Sequence, residues 1–345
     1  MGCPRRVAVL VLFAVVAVCA CNGAGERAGG SERPATTREC PPGSSREPAD
    51  GAVVVTIFHE THTHGDLAGG MFSAPNVTFA QYVGLRNALR ACLPDPANSL
   101  VLGNGDDISP TLKGVRTDGQ HTIDAFNAAG LDANTFGFSE TELVALLRER
   151  VAASRFTWVS ANVRERDSPD EVFAFAQGAR PWIIKDLAGV RVGITGLRGV
   201  RFTSNPAPGR LPPPEEEGVR VVDEVKAMKQ VLQQMHAAGA QIVVLLSHMI
   251  HEDTLRVVRS VEGIDVALGT HLPDETLQPD LQAEIVNGSI VAVAGPYDML
   301  ALGQLDLTIR DGQIVDYAFR RHIPSATGPV DREVEAVLAR YLRGS

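Results

Sequence analysis

The stretch TIFHETHTHGDL, Thr56 to Leu67, places Glu60, His62 and His64 directly after a run of β-branched residues. Imidazoles and carboxylates gathered at a strand end are the donor types that hold a borderline-soft divalent ion. If the chain stays extended there, the three side chains share one face, because side chains alternate with period two. Three more apolar runs end in the same way. LVLGNGDD delivers Asp106 and Asp107 after glycines that let the backbone turn, VVLLSHMIHED delivers Ser247, His248 and His251, and DVALGTHLPDE delivers His271 and Asp274. Five of the nine histidines lie at such junctions, which favours one shared metal site over five unrelated, partly exposed imidazoles. His62, His64 and Asp106 alone would make a two-histidine, one-carboxylate set with open positions, suited to one catalytic or structural ion.

Bringing these ends together calls for an α/β fold. Candidate strands GAVVVTIF, NSLVLGN, TWVSANV, VRVGITGL, QIVVLLSH, GIDVALG, SIVAVAG and ALGQLDLTIR alternate with amphipathic stretches such as TFAQYVGLRNALRACL, TDGQHTIDAFNAAG, SETELVALLRERVAA and VDEVKAMKQVLQQMHAAG. In such folds ligands sit beyond the carboxyl ends of the strands. Towards the end, LALGQLDLTIRDGQIVDYAFRRHIP alternates apolar and polar residues and turns on Asp311-Gly312, a hairpin signal. DREVEAVLARYL then reads as a short helix, with acids early and arginines late to match its dipole.

The 345 residues carry a formal charge of −9, which removes the broad attraction that a nucleic-acid polymer or an anionic membrane surface would need. Residues 1–20 read as a signal peptide, with a basic start and an apolar run from Val7 to Ala20 too short to span a bilayer comfortably. Val18-Cys19-Ala20-Cys21 resembles a bacterial lipobox, which makes Cys21 the candidate lipidation site and the membrane a partner through an N-terminal lipid. Residues 21–50 are rich in Gly, Ser, Pro and charge and form a candidate tether, ahead of one domain over 51–345. The chain is thus expected at the bacterial cell envelope, facing the periplasm or the exterior. An oxidising compartment permits Cys40 and Cys92 to pair, though two independent thiols fit the sequence equally.

In their order and context, the blocks FHETHTHGDL, LVLGNGDD, FNAAGLDANTFGFSETEL, FTWVSANV, GVRVGITGL, AGAQIVVLLSHMIHED, GIDVALGTH and VAGPYDMLALGQLDLTIRDGQIVDY resemble the calcineurin-like metallophosphatase domain of the bacterial 5′-nucleotidase family. The resemblance runs from about Val53 to Tyr341. It implies a four-layer αββα sandwich with two mixed β-sheets, and a two-metal centre that orients a phosphate and activates water for in-line attack. Asp106 matches the bridging carboxylate, His64 a ligand of the first metal, and His248 and His271 ligands of the second. His62 stands where the family has aspartate. Phe138 replaces a metal-binding asparagine, Ser139 replaces the histidine that stabilises the transition state or leaving group, and Pro273 replaces a first-metal ligand.

These exchanges remove anionic charge between two cations that repel each other, so one or two divalent ions are expected, with zinc, manganese or iron favoured over magnesium. Glu60 is the candidate compensating ligand, against the plainer reading of a solvent-facing carboxylate. His251 is the candidate substitute imidazole, with His121 behind it; a loop residue and a surface-helix residue are the plain alternatives. The expected function is an exported metal-dependent hydrolase of a small phosphoester or nucleotide. The alternative is a catalytically impaired metal- or ligand-binding lipoprotein of the same fold. The nucleobase-clamping C-terminal domain of full-length relatives is not expected here, and no protein partner is inferred. The insertion RFTSNPAPGRLPPPEEE, residues 201–217, reads as a solvated loop or a lid.

Overall fold

Val55 and Ile57 leave the strand Val53–His59 on one side and Phe58 leaves it on the other, and all three are fully buried. A strand covered on both faces needs a continuous apolar run rather than an alternating one, which is what VVVTIF supplies. The structure is a computed structural model that describes residues 40, 51–60, 62–69, 76–142, 144–168, 170–200, 218–272, 281–295 and 299–343. The signal segment, Cys21, the tether apart from Cys40, the 201–217 insertion, Pro273 and Asp274 lie outside the described residues.

Two six-stranded sheets face each other. In the first the order is Gln313–His322, Leu302–Arg310, Val53–His59, Ser99–Leu102, Ala133–Thr135 and Thr157–Val159. The last four strands run parallel, and the hairpin that turns at Asp311-Gly312 adds the antiparallel edge. The second sheet orders Glu284–Val286, Ser289–Val293, Val266–Gly269, Ile242–His248, Val190–Arg198 and Trp182–Leu187, again parallel in the middle and antiparallel at both edges. Both sheets are therefore mixed.

Three cores make four layers. Val55, Ile57, Leu100 and Leu102 from the first sheet interleave with Val192, Ile194, Val244 and Leu246 from the second. Phe58 and Val101 turn outward beneath the helices Phe79–Arg90, Gln120–Ala129 and Arg332–Leu342, whose Tyr82, Phe126 and Val337 join the same cluster. On the far side, Val243 and Leu245 meet Met228 and Met235 of Glu224–Ala237 and Val257 of His251–Ser260. Cys40 and Cys92 are joined by a disulfide with Cα atoms 5.8 Å apart. Among the described residues no helix is long and apolar enough to cross a membrane.

Candidate metal centre

The carboxyl ends of parallel strands from both sheets meet at one edge, and the predicted ligands lie there. Strand Val53–His59 ends before Glu60, and His64 adopts φ 48°, in the left-handed region. The His64 amide donates to the Asp106 carbonyl at 2.8 Å, and the Thr63 amide and hydroxyl both donate to Asp107 Oδ1, at 2.9 and 3.1 Å. The expected extended face carrying Glu60, His62 and His64 is thereby corrected. A turn pinned on residues 106 and 107 presents the two histidines, not the period of a strand.

Asp106 and His271 also carry positive φ, 57° and 47°. Three of the five predicted ligands thus hold a conformation that costs a non-glycine residue on the order of 1 kcal/mol. The surroundings enforce it. Glu140, fully buried, accepts the amides of Asp107 and Ile108 on Oε1 and those of Asp106 and Gly137 on Oε2, all within 3.1 Å. Gly137 permits the close approach, since a Cβ there would stand 2.4 Å from both the amide nitrogen and Oδ1 of Asp106. Asn134 Nδ2 donates to Asp107 Oδ2 at 2.8 Å, so both buried carboxylates hold the frame.

Ligand atoms of Asp106, His248 and His271 all lie within 4.8 Å of one another. His62 is buried among them, its ring centroid 4.8 Å from that of His64, 5.7 Å from His248 and 4.7 Å from His271. His64 is exposed at the rim. His248 Nδ1 lies 2.7 Å from the Asn104 carbonyl, which can only accept; Nδ1 must carry the hydrogen, and Nε2 of the neutral ring presents a lone pair. That atom faces Asp106 Oδ2 at 3.2 Å and His271 Nε2 at 3.3 Å. A proton on one of the rings, or a bound cation, can bridge atoms this close, and the donor set fits a divalent metal ion.

The proton affinities follow from the same contacts. Burial works against the Asp106 carboxylate, but His248, His62 and the Ser139 amide outweigh it and hold its pKa well below the usual range. Burial likewise disfavours a charged His248, yet the Asp106 charge and hydrogen bond raise its basicity. Burial, then the neighbouring His248, lowers His271 to about 3. Burial followed by the surrounding imidazoles lowers His62 as well. Burial and then Glu140 push Asp107 up to about 8.

Other expected residues take different places. Glu60 is buried, so it does not face solvent, and its Oε1 meets Arg86 at 2.9 Å rather than the histidine cluster. The His251 ring pairs with Glu284 at 3.2 Å; its amide donates to the His271 carbonyl, so its tie to the cluster runs through the main chain. His121 is buried rather than on a surface, with Nε2 2.8 Å from the Gly65 carbonyl and Nδ1 2.6 Å from Thr117 Oγ1. It braces the loop after His64. The Ser247 hydroxyl bonds Thr254 at 2.7 Å. Two residues at this edge escaped the sequence reading. Asn104 Nδ2 bridges the carbonyls of Ser247 and Leu268, stapling the first sheet to the second, and Arg198 ends a strand beside His248.

No family model matches the chain. A probable 5′-nucleotidase of Treponema pallidum (strain Nichols) is 28% identical over 242 residues, 66% of this chain and 38% of that protein. Among solved structures, the 5′-nucleotidase precursor of Thermus thermophilus superposes with a TM-score of 0.67 at 22% identity, covering 85% of this chain and 59% of that one. The sulfate thiohydrolase SoxB of Thermus thermophilus, solved with glycerol, gives 0.69 at 18% identity over 84% of this chain and 60% of its own. The chain has the metallophosphatase fold of the 5′-nucleotidases. The chain spans 38% of the length of that Treponema relative and about 60% of each of these two structures.

At this edge, Phe138 sets its ring centroid 5.2 Å from that of His248 and 6.3 Å from that of His271. The Arg198 guanidinium carbon lies over the same ring, 4.4 Å from its centroid. Ser139 gives its amide to Asp106 Oδ1 at 2.6 Å, while its buried hydroxyl oxygen has no hydrogen-bond partner among the described residues.

Proposed function

We propose that this chain is an exported, lipid-anchored, metal-dependent hydrolase of a small phosphoester or nucleotide. The observation that carries the reading is the convergence of Asp106, His248 and His271, with His62 against them, at the shared edge of two sheets in a metallophosphatase fold. Asp106, His248 and His271 would hold the ion; His62 and His64 complete the ring of donors. Two or more imidazoles beside a single carboxylate suit zinc, manganese or iron better than magnesium. When bound, the ion supplies Lewis acidity towards a phosphoryl oxygen. The chain's own part is to hold Asp106 ionised, to keep His248 in the Nδ1–H form and to exclude water on the Phe138 side. Export is supported by the apolar run before Cys21 and by the Cys40–Cys92 disulfide, which an oxidising compartment preserves.

Turnover of phosphomonoesters and phosphodiesters with Mn²⁺, Zn²⁺ and Fe²⁺ tests the reading, against a His248→Ala/His271→Ala control. Because a fold neighbour is a sulfate thiohydrolase, the panel includes an S-sulfonate. Activity that vanishes in the control is expected. Activity on no substrate above the control, with metal still bound, would leave the second reading, a binding lipoprotein, which Ser139 in the place of the family's histidine favours. Loss of lipid labelling in Cys21→Ser tests the anchor.

A further inference from the structure

Arg198 closes the strand Val190–Arg198, which runs parallel to Ile242–His248 with Arg198 and His248 as register partners. Register partners project from the same face of a sheet. Val192 and Ile194 on one strand, and Val244 and Leu246 on the other, share that face with them and fill the core between the sheets. Arg198 therefore projects towards the first sheet at the very edge where Asp106, His248 and His271 meet.

Its position is rigid. The Arg198 amide donates to Asn162 Oδ1 at 3.0 Å, and its carbonyl accepts from Asn162 Nδ2 at 2.7 Å. The next amide, of Gly199, donates to the His248 carbonyl at 2.8 Å. Arg198 is only 6% exposed, although a guanidinium stays charged at any pH the fold survives and is costly to bury. Stacking over Phe138 offsets part of that cost, and it engages the face of the group, whose N–H donors lie in its plane. One of them bonds the Gly199 carbonyl at 3.1 Å. At the same edge, next to Phe138 in the chain, stands the buried hydroxyl of Ser139, which has no partner among the described residues.

We propose that Arg198, held over Phe138, binds the tetrahedral oxyanion of the substrate at the Asp106–His248–His271 cluster, with Ser139 Oγ as a second donor. The proposal rests on the hydrolase reading for its substrate class, a phosphoryl or sulfonyl group. It also accounts for Phe138, since the ring that displaces a metal-binding asparagine becomes the platform for a cation. Charge then reaches the reacting oxygens from the second sheet, where the family's histidine would have supplied it from the position of Ser139. Phe138 is a positioning residue on this account.

The test is binding of inorganic phosphate and of sulfate to the metal-loaded full chain by calorimetry, with metal content and thermal unfolding measured on every variant. Arg198→Met should weaken binding by about 10- to 100-fold, Arg198→Lys by less, and Phe138→Leu by about 3- to 10-fold, with metal stoichiometry unchanged. Folded Arg198→Met that binds within twofold of the parent overturns the proposal. If Arg198→Met does not fold, unchanged affinity in both Arg198→Lys and Phe138→Leu overturns it instead, as does a parent that binds neither anion. Anion binding that depends on Arg198, in a protein with no turnover, supports this proposal while defeating the hydrolase reading.

Discussion

His248 Nδ1 lies 2.7 Å from the main-chain oxygen of Asn104, and so a residue of the second sheet takes its tautomer from the loop that follows the strand Ser99–Leu102 of the first. The Asn104 side chain returns the tie through the carbonyls of Ser247 and Leu268. This fixes which ring nitrogen is available to a ligand before any ligand arrives. In long-range ¹⁵N NMR of the metal-free protein, with the pH raised until His248 is neutral, its ring should appear as the Nδ1–H tautomer, and adding Zn²⁺ should move the Nε2 resonance. A dominant Nε2–H form would contradict the assignment.

Metal uptake should release protons, because His248 is made more basic by Asp106, whereas His271, at about 3, is already neutral. Proton release per ion should grow, and metal affinity should fall, as the pH is lowered and His248 takes up its proton. Calorimetry in two buffers of different ionisation enthalpy reads the proton count. A release that does not rise on acidification would mean that His248 is not a ligand.

Glu60 and Arg86, both 2% exposed in their side chains, form a buried pair at 2.9 Å. Removing one member leaves the other charge buried alone, and Glu60→Gln should cost about 3–5 kcal/mol of stability. Metal stoichiometry should not change. Loss of metal without loss of stability would restore Glu60 as a ligand.

Neither ring nitrogen of the fully buried His59 has a hydrogen-bond partner among the described residues, and burial lowers its pKa to about 3. Its folded pKa lies below the unfolded value of about 6.5, so between the two the unfolded chain binds the additional proton. Stability owed to neutral His59 is present above about pH 6.5 and is lost as pH falls towards 3. Compared with the parent, His59→Leu should gain about 1.4 kcal/mol per pH unit below 6.5. Urea midpoints of both proteins at pH 7, 5.5 and 4.5 give the difference, which cancels the opposing contributions of raised carboxylates such as Asp107. A gap that stays constant with pH would refute the assignment.

Gly137→Ala would drive a methyl group into the amide and Oδ1 of Asp106, each 2.4 Å away, and backbone on one side leaves little room to yield. A loss of about 1–3 kcal/mol in stability is expected, together with at least about tenfold weaker metal binding. Equilibrium unfolding and chelator competition measure the two separately.

The α/β alternation was legible because strands covered on both faces are largely apolar, as in the runs IVVLLSH and VVVTIF, whereas the four-layer sandwich followed from the family resemblance of the ordered blocks. Strand ends then pointed to Asp106, His248 and His271. Glu60 was misplaced because alternation was carried past His59, where the strand stops and a turn takes over. The orientation of a ring at a helix start, as at His251, is decided by distant partners such as Glu284 that no local pattern announces. Arg198 occupies a strand end just as the histidines do. It went unread because an arginine there suggests solvent, and only the register with His248 and the ring of Phe138 reveal otherwise.

The bridge between Cys40 and Cys92 also determines where force enters the domain. Tension applied through residues before 40 passes across the sulfur atoms to the end of the helix Phe79–Arg90 and bypasses residues 41–91. Strand Val53–His59 and the turn bearing His62 and His64 lie inside that shunted loop. A pull on the N-terminal side therefore leaves the turn with His62 and His64 outside the load path while the disulfide is intact, and reduction would transfer the load to the strand that precedes them.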